Sequence, residues 1–161
     1  FNTGSRRAEI ANLRYHPTEM EDRDIDLRAG RVRTLEKGRK QNLIGLDNRT
    51  LVALEAYLRA RKKHPNRDLP WMWLGKRGRL TDSGVAQMLE TRGKRIGIAR
   101  LHAHDFRHTA THHEMSAGLS DSDVMAKRGW SSPGMLRRYA APLAQQRSIA
   151  ASQRLALGDK V

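Results

Sequence analysis

The stretch His104-Asp105-Phe106-Arg107-His108-Thr109 decides how this chain is read. It opens a segment with helical spacing that runs from about residue 104 to 117 and stops at Gly118, a residue suited to a left-handed helix cap. On a helix, positions three apart share a face, so the His104 imidazole and the Arg107 guanidinium can converge on one ligand. A phosphodiester suits such a pair, because arginine offers fixed, paired donors to phosphate oxygens and histidine exchanges a proton near neutral pH. Taken alone the pair is a weak signal, and a solvated helix face is the better reading of it.

The elements on either side are legible from their punctuation. Ser120 with Asp123 forms a capping box for a helix ending at Gly129, and Ser132-Pro133 opens a short helix toward Tyr139, since proline is tolerated at the first helical position. Beyond Pro142, Leu143, Ile149 and Leu155 place a sparse apolar stripe on a last helix. Upstream, Asp47 or Asn48 caps a helix carrying Leu51, Leu54 and Leu58, which passes into the basic run of residues 59–63 and stops before Pro65. Thr81 starts another with Val85, Met88 and Leu89 inward. Near the N-terminus Ile10 and Leu13 suggest a short helix within residues 3–13. Residues 24–30 read as a turn, and residues 32–35 and 42–46 read as two strands around the basic tip Lys37-Gly38-Arg39-Lys40. The fold class expected is mainly α with a small antiparallel β hairpin or sheet.

Composition narrows the chemistry. The 161 residues fit one domain, large enough to bury a core without metals or disulfides. Lys and Arg number 31 against 17 Asp and Glu, for a net charge of +14, the electrostatic footprint of a nucleic-acid-binding surface, which other polyanion-binding proteins share. There is no cysteine, so disulfides and thiolate metal sites are excluded and a reducing, cytoplasmic setting is expected. A mean hydropathy of -0.74 and no long apolar run speak against a membrane partner. The first residue, Phe1, leads us to expect part of a longer protein.

Several stretches, in order, resemble the motifs of the tyrosine recombinase, or phage integrase, family. They are Thr3-Gly4-Ser5-Arg6-Arg7-Ala8-Glu9-Ile10, the hairpin Lys37, the segment 104–109 quoted above, and Gly129-Trp130-Ser131-Ser132 followed by Tyr139. The stretch Arg137-Arg138-Tyr139-Ala140-Ala141-Pro142 is also similar to integrases of temperate actinobacterial phages. The resemblance covers nearly the whole chain. It implies the family's catalytic-domain fold as a single domain over 1–161, an N-terminal core-binding domain lying outside it, and residues 143–157 as a C-terminal exchange helix.

By this resemblance the first catalytic arginine falls on Arg6, since it follows Thr-Gly-x, with Arg7 the neighbouring alternative and Glu9 as its orienting partner. Lys37 matches the hairpin lysine that acts as a general acid, with Lys40 the competing candidate; a lysine can adjust its pKa for that role and an arginine cannot. A loop tip that only grips phosphate is the other reading. His104 and Arg107 match the next box. Trp130 stands where most members carry a second histidine; an indole can donate one hydrogen bond to phosphate but cannot shuttle a proton, and an ordinary core tryptophan is the alternative. Tyr139 matches the nucleophile, which needs a base or a field of cations because free tyrosine titrates near ~10. Arg7, Arg39, Lys40, Lys76, Arg77, Arg79, Arg137 and Arg138 are left for the DNA backbone.

The implied activity is site-specific recombination: cleavage and rejoining of DNA through a 3′-phosphotyrosyl intermediate with no cofactor and no metal. His104, His108 and His112 recur at four-residue intervals, but no zincin carboxylate accompanies them, and His108 is expected to be a buried structural residue. Implied partners are double-stranded DNA attachment sites, a homotetramer in the synaptic complex and a host DNA-bending factor. Two alternatives remain, a catalytically inert DNA-binding module and a type IB topoisomerase.

Overall fold

A three-stranded antiparallel sheet and the helix packed on it build the first of two hydrophobic cores. The computed structural model describes residues 2–35, 40–141, 144–156 and 158, without the side chains of Arg138 and Ala140. The expected hairpin residues Lys37 and Arg39, and Leu143, lie outside the described residues. Strands β1 (Ile25–Asp26), β2 (Arg31–Leu35) and β3 (Gln41–Gly45) pair in that order. In β2 every second residue, Val32 and Thr34, is buried, and Val32 faces Ile44 across the ladder. The segment expected as a turn thus contains a strand. Ile25 pairs with Val32 and enters the core, a two-residue element too short to leave an alternating pattern.

Helix α2 (Asn48–Arg61) starts at Asp47, whose carboxylate accepts from the Thr50 backbone N–H, and buries Leu54 and Leu58 against Leu13, Ile25, Val32, Ile44 and Met72. Its basic end holds a surprise. Arg61 is buried and donates to the carbonyls of Arg67, Leu69 and Trp71, so it organises the following loop instead of facing solvent. Tyr57 packs on Trp73 and donates its hydroxyl to the Met72 carbonyl.

The hairpin of β4 (Leu74–Gly75) and β5 (Gly78–Arg79) leads to α3 (Asp82–Arg95), capped by Thr81. Val85 is buried, whereas Met88, expected inward, is exposed, because with Val85 and Leu89 it lines an open cavity between α3 and residues such as Trp73 and Phe106; α3 also meets α1 (Arg7–Ala11). Helix α1 is also shorter than the expected segment of residues 3–13. Gly4 at φ +55° cannot belong to a right-handed helix.

The second core is helical. It is formed by α4 (Ala103–Ser116), α5 (Asp121–Arg128) and α6 (Pro133–Ala140), around Val124, Trp130, Leu136 and Tyr139. Gly118 and Gly129 both take left-handed conformations, as their places after α4 and α5 require. Helix α7 (Ala144–Leu155) follows, with Ile149 and Leu155 exposed. The chain is therefore mainly α-helical with a small antiparallel sheet.

Candidate active site

The turn at Gly4 delivers Arg6 to the N-cap of α1. Glu9, one turn on, accepts from the Arg6 backbone N–H at 2.7 Å and from its guanidinium at 2.6 Å. The Glu9 side chain is 8% exposed and that of Arg6 43%, so a buried carboxylate anchors a guanidinium that still reaches solvent. Beside it lies a cavity of about 350 Å³ lined by Arg6, Arg7, Asp82, His102, His104 and Arg107 among others. The helix expected within residues 3–13 would include Arg6. Instead Arg6 precedes the helix, and Glu9 reaches back to it.

His104 and Arg107 sit on the first turns of α4, which begins at Ala103 because the Asp105 carboxylate accepts from the His102 backbone N–H. Arg107 is buried, and donates from its two terminal nitrogens to the Gly4 carbonyl at 2.8 Å and the Arg128 carbonyl at 2.9 Å. Burial, then the nearby Arg6, hold its guanidinium below its ordinary pKa, opposed by Glu9. An arginine remains charged through such a shift, so Arg107 is a desolvated cation facing an open cavity. An entering anion would be favoured at that point.

Tyr139 closes the arrangement from α6. Its ring lies between His108, at 4.1 Å between centroids, and Trp130, at 4.7 Å, and its hydroxyl is 3.4 Å from His104 Nε2. His108 was expected to be buried but is exposed. It lies one turn beyond His104 on the face of α4 that meets α6, which turns it onto the Tyr139 ring. Partial desolvation of this otherwise exposed ring, and then the His104 ring, push its pKa below the ordinary histidine value. Trp130 is 6% exposed, yet its Nε1–H has no partner in the described structure. A buried donor left unpaired is costly, and it sits against the tyrosine, so the tryptophan has a hydrogen bond to offer.

The remaining cations divide. Arg7 does not stand free: it grips Asp82, the first residue of α3, through two contacts of 2.7 and 2.6 Å. Lys76, Arg77 and Arg79 are exposed on the β4–β5 hairpin and line, with Arg7, an open trough adjoining the cavity. Arg79 also stacks over the Trp71 ring. Lys40 and Arg137 are exposed. Sequence reasoning missed Arg128, which is 1% exposed and bound to Thr111 Oγ1, the Thr3 carbonyl and Glu114. Nothing in one dimension pairs residues 114 and 128 with residue 3. Among the described residues no group of His, Asp or Glu is arranged to hold a metal ion, and no helix is long and apolar enough to cross a membrane.

Two arginines and a histidine thus line one cavity, and the Tyr139 hydroxyl lies 3.4 Å from that histidine. The model of the Phage integrase family matches residues 1–146. This chain belongs to the phage integrase family. It is 33% identical over 141 residues to tyrosine recombinase XerC of Haemophilus ducreyi, covering 86% of this chain and 44% of that protein. It is 32% identical over 120 residues to tyrosine recombinase XerD of Bifidobacterium longum, covering 68% and 38%. The chain spans less than half the length of these curated relatives.

Solved structures share the family fold. The XerA recombinase superposes with a TM-score of 0.80 at 21% identity, over 96% of this chain and 54% of that one. XerH bound to palindromic difH substrate in a post-cleavage complex gives 0.72 at 22% identity, over 94% and 42%. The Tn1549 transposon integrase in complex with transposon right end DNA gives 0.69 at 17%, over 96% and 56%.

Proposed function

We propose that this chain is the DNA-cleaving and rejoining domain of a site-specific recombinase, with Tyr139 as its nucleophile. The observation that carries the reading is the placement of the Tyr139 hydroxyl 3.4 Å from His104, which lines one cavity with Arg6 and Arg107. A scissile phosphate in that cavity meets donors from both arginines and, with a small approach, the Trp130 Nε1–H. Tyr139 then attacks phosphorus in line. A phosphate–tyrosine bond forms, the bond to the 5′ oxygen breaks, and Lys37 delivers the proton that the departing oxygen takes up. His104 takes the phenolic proton or holds the phosphate, depending on its tautomer. Fixed cations stabilise the charge that builds on the phosphoryl oxygens. Because the covalent intermediate is itself a phosphodiester, rejoining to another strand requires only the reverse attack.

Double-stranded DNA is the partner this chemistry requires. The Tn1549 transposon integrase is known in complex with transposon right end DNA and XerH bound to difH substrate, and the exposed Lys76, Arg77 and Arg79 beside the cavity support contacts to the backbone on either side of the cut. Assembly as a tetramer on two duplexes, with α7 docking on a neighbour through Ile149 and Leu155, extends the reading; removal of residues 144–161 should then abolish synapsis. The narrower origin in a temperate actinobacterial phage stands on residues 137–142 alone.

A nicked suicide duplex tests the reading, because loss of the short fragment after cleavage traps the adduct. The chain should yield a denaturation-stable protein–DNA band, and Tyr139→Phe should abolish it while binding DNA as before. A band that survives in the Phe variant rejects the assignment. Absence of the band from the unaltered chain favours the inert DNA-binding alternative.

A further inference from the structure

Arg128 is the largest fully buried side chain of the described residues, and it is charged. A buried ion pair is weak evidence for stability, since apolar side chains of similar volume often serve the fold as well or better. Its partners suggest another purpose. From α5 it donates through Nη1 to the Thr3 carbonyl at 2.6 Å, through Nε to Thr111 Oγ1 at 3.0 Å, and through Nη2 to the Glu114 carboxylate. Thr111 Oγ1 in turn donates to the Arg107 carbonyl at 2.8 Å, and Arg107 spends one N–H of each terminal nitrogen on the Gly4 and Arg128 carbonyls. The peptides of Thr3 and Gly4 are therefore clamped by two guanidiniums, three and two residues ahead of Arg6. Gly4 has no side chain to obstruct this: a Cβ there would lie 2.4 Å from Arg128 Nη1.

The clamp reaches further. Glu114 also binds the Lys127 ammonium at 2.7 Å, and the Asn42 amide of β3 donates to the Lys127 carbonyl at 3.0 Å. One buried point thus ties together the segment that leads into Arg6, strand β3, the helix carrying His104 and Arg107, and the residue two before Trp130.

We propose that Arg128 and Glu114 are positioning residues, whose pairing sets the guanidinium plane of Arg107 and the backbone before Arg6 so that both address one phosphate. Two of the five Arg107 donors are fixed on carbonyls, which leaves the other three aimed as a unit. This rests on the reading of Tyr139 as a nucleophile acting on DNA. Loss of such alignment should slow cleavage by roughly tenfold to a hundredfold without weakening encounter with DNA, since small misplacements at a reacting centre are costly.

The test compares single-turnover cleavage of two nicked duplexes, one with an ordinary scissile phosphate and one with an uncharged methylphosphonate there. Arginine alignment matters for the charged substrate and little for the neutral one. In Thr111→Val, and in the apolar pair Arg128→Met with Glu114→Leu, cleavage of the phosphodiester should fall while methylphosphonate cleavage and DNA affinity stay near those of the unaltered chain. Thr111→Ser should retain the original ratio of the two rates. An equal loss on both substrates would mark a merely structural role and overturn the proposal, as would an unchanged ratio in Thr111→Val. If the unaltered chain cleaves neither duplex, the Tyr139 reading itself has failed and the proposal falls with it.

Discussion

Replacing Gly4 by alanine should be among the most damaging small changes available to this chain. Two separate costs arise. At φ +55° an alanine sits in the left-handed region, which costs about 1–2 kcal/mol. Its Cβ would also fall 2.4 to 2.8 Å from three atoms of the Arg128 guanidinium. A flexible exposed arginine would simply swing away, but this one is enclosed and held by Thr3, Thr111 and Glu114. Moving it by about 1 Å takes its bond to Thr3 beyond hydrogen-bonding distance and weakens a charge-assisted contact, for a further ~2–3 kcal/mol. The sum is about 3–5 kcal/mol, a large share of the stability of an ordinary domain.

Urea unfolding at 25 °C measures it, with Gly97→Ala as the control: Gly97 is also left-handed, at φ +78°, but has nothing within 4 Å of its would-be Cβ. Gly97→Ala should therefore cost only the backbone part, about 1–2 kcal/mol. The excess at Gly4 should vanish in an Arg128→Met background, which makes the cycle a measure of the clash. Equal costs for the two alanines would refute the reasoning.

Three further outcomes follow from the same contacts. Arg61→Met strands the carbonyls of Arg67, Leu69 and Trp71, so it should lose about 3 kcal/mol in denaturant unfolding while leaving DNA cleavage by the folded protein unchanged; a loss below about 1 kcal/mol would contradict it. Trp130→Phe keeps a ring against Tyr139 but removes the unpaired donor, so stability should stay within about 1 kcal/mol while cleavage falls on the order of a hundredfold. His108 titrates lower in the folded chain than in the unfolded one, so the unfolded state takes up its proton first as pH falls. Stability is then full above about pH 6.5 and declines as pH drops from there toward the folded pKa, and His108→Phe should flatten that decline; parallel curves for the two proteins would contradict it.

How much of this was legible in one dimension depends on whether a residue acts through a local period or through a distant partner. The helices announced themselves because their caps are local: Asp47, Thr81, Ser120 and Pro133 each start an element where expected, and Gly118 and Gly129 each follow one. Strand β1 is two residues long and carries no period, so it read as a turn. Motif order brought Arg6, His104, Arg107 and Tyr139 to notice, and the fold places them at one cavity or its edge. The clamp beneath them stayed invisible, because Thr3, Thr111, Glu114 and Arg128 are ordinary surface residue types on separate elements until the chain folds. His108 was misplaced for a related reason. Its identity says nothing of which helix covers its face, and α6 meets it with the Tyr139 ring instead of burying it.

The central claim is that Tyr139 becomes covalently bonded to DNA phosphate. Peptide mapping of the trapped adduct by mass spectrometry, after nuclease digestion of the DNA, tests it most directly. A nucleotide remnant is expected on Tyr139 through its phenolic oxygen. A remnant on Tyr15, Tyr57 or any serine or histidine, with Tyr139 unmodified, would contradict it.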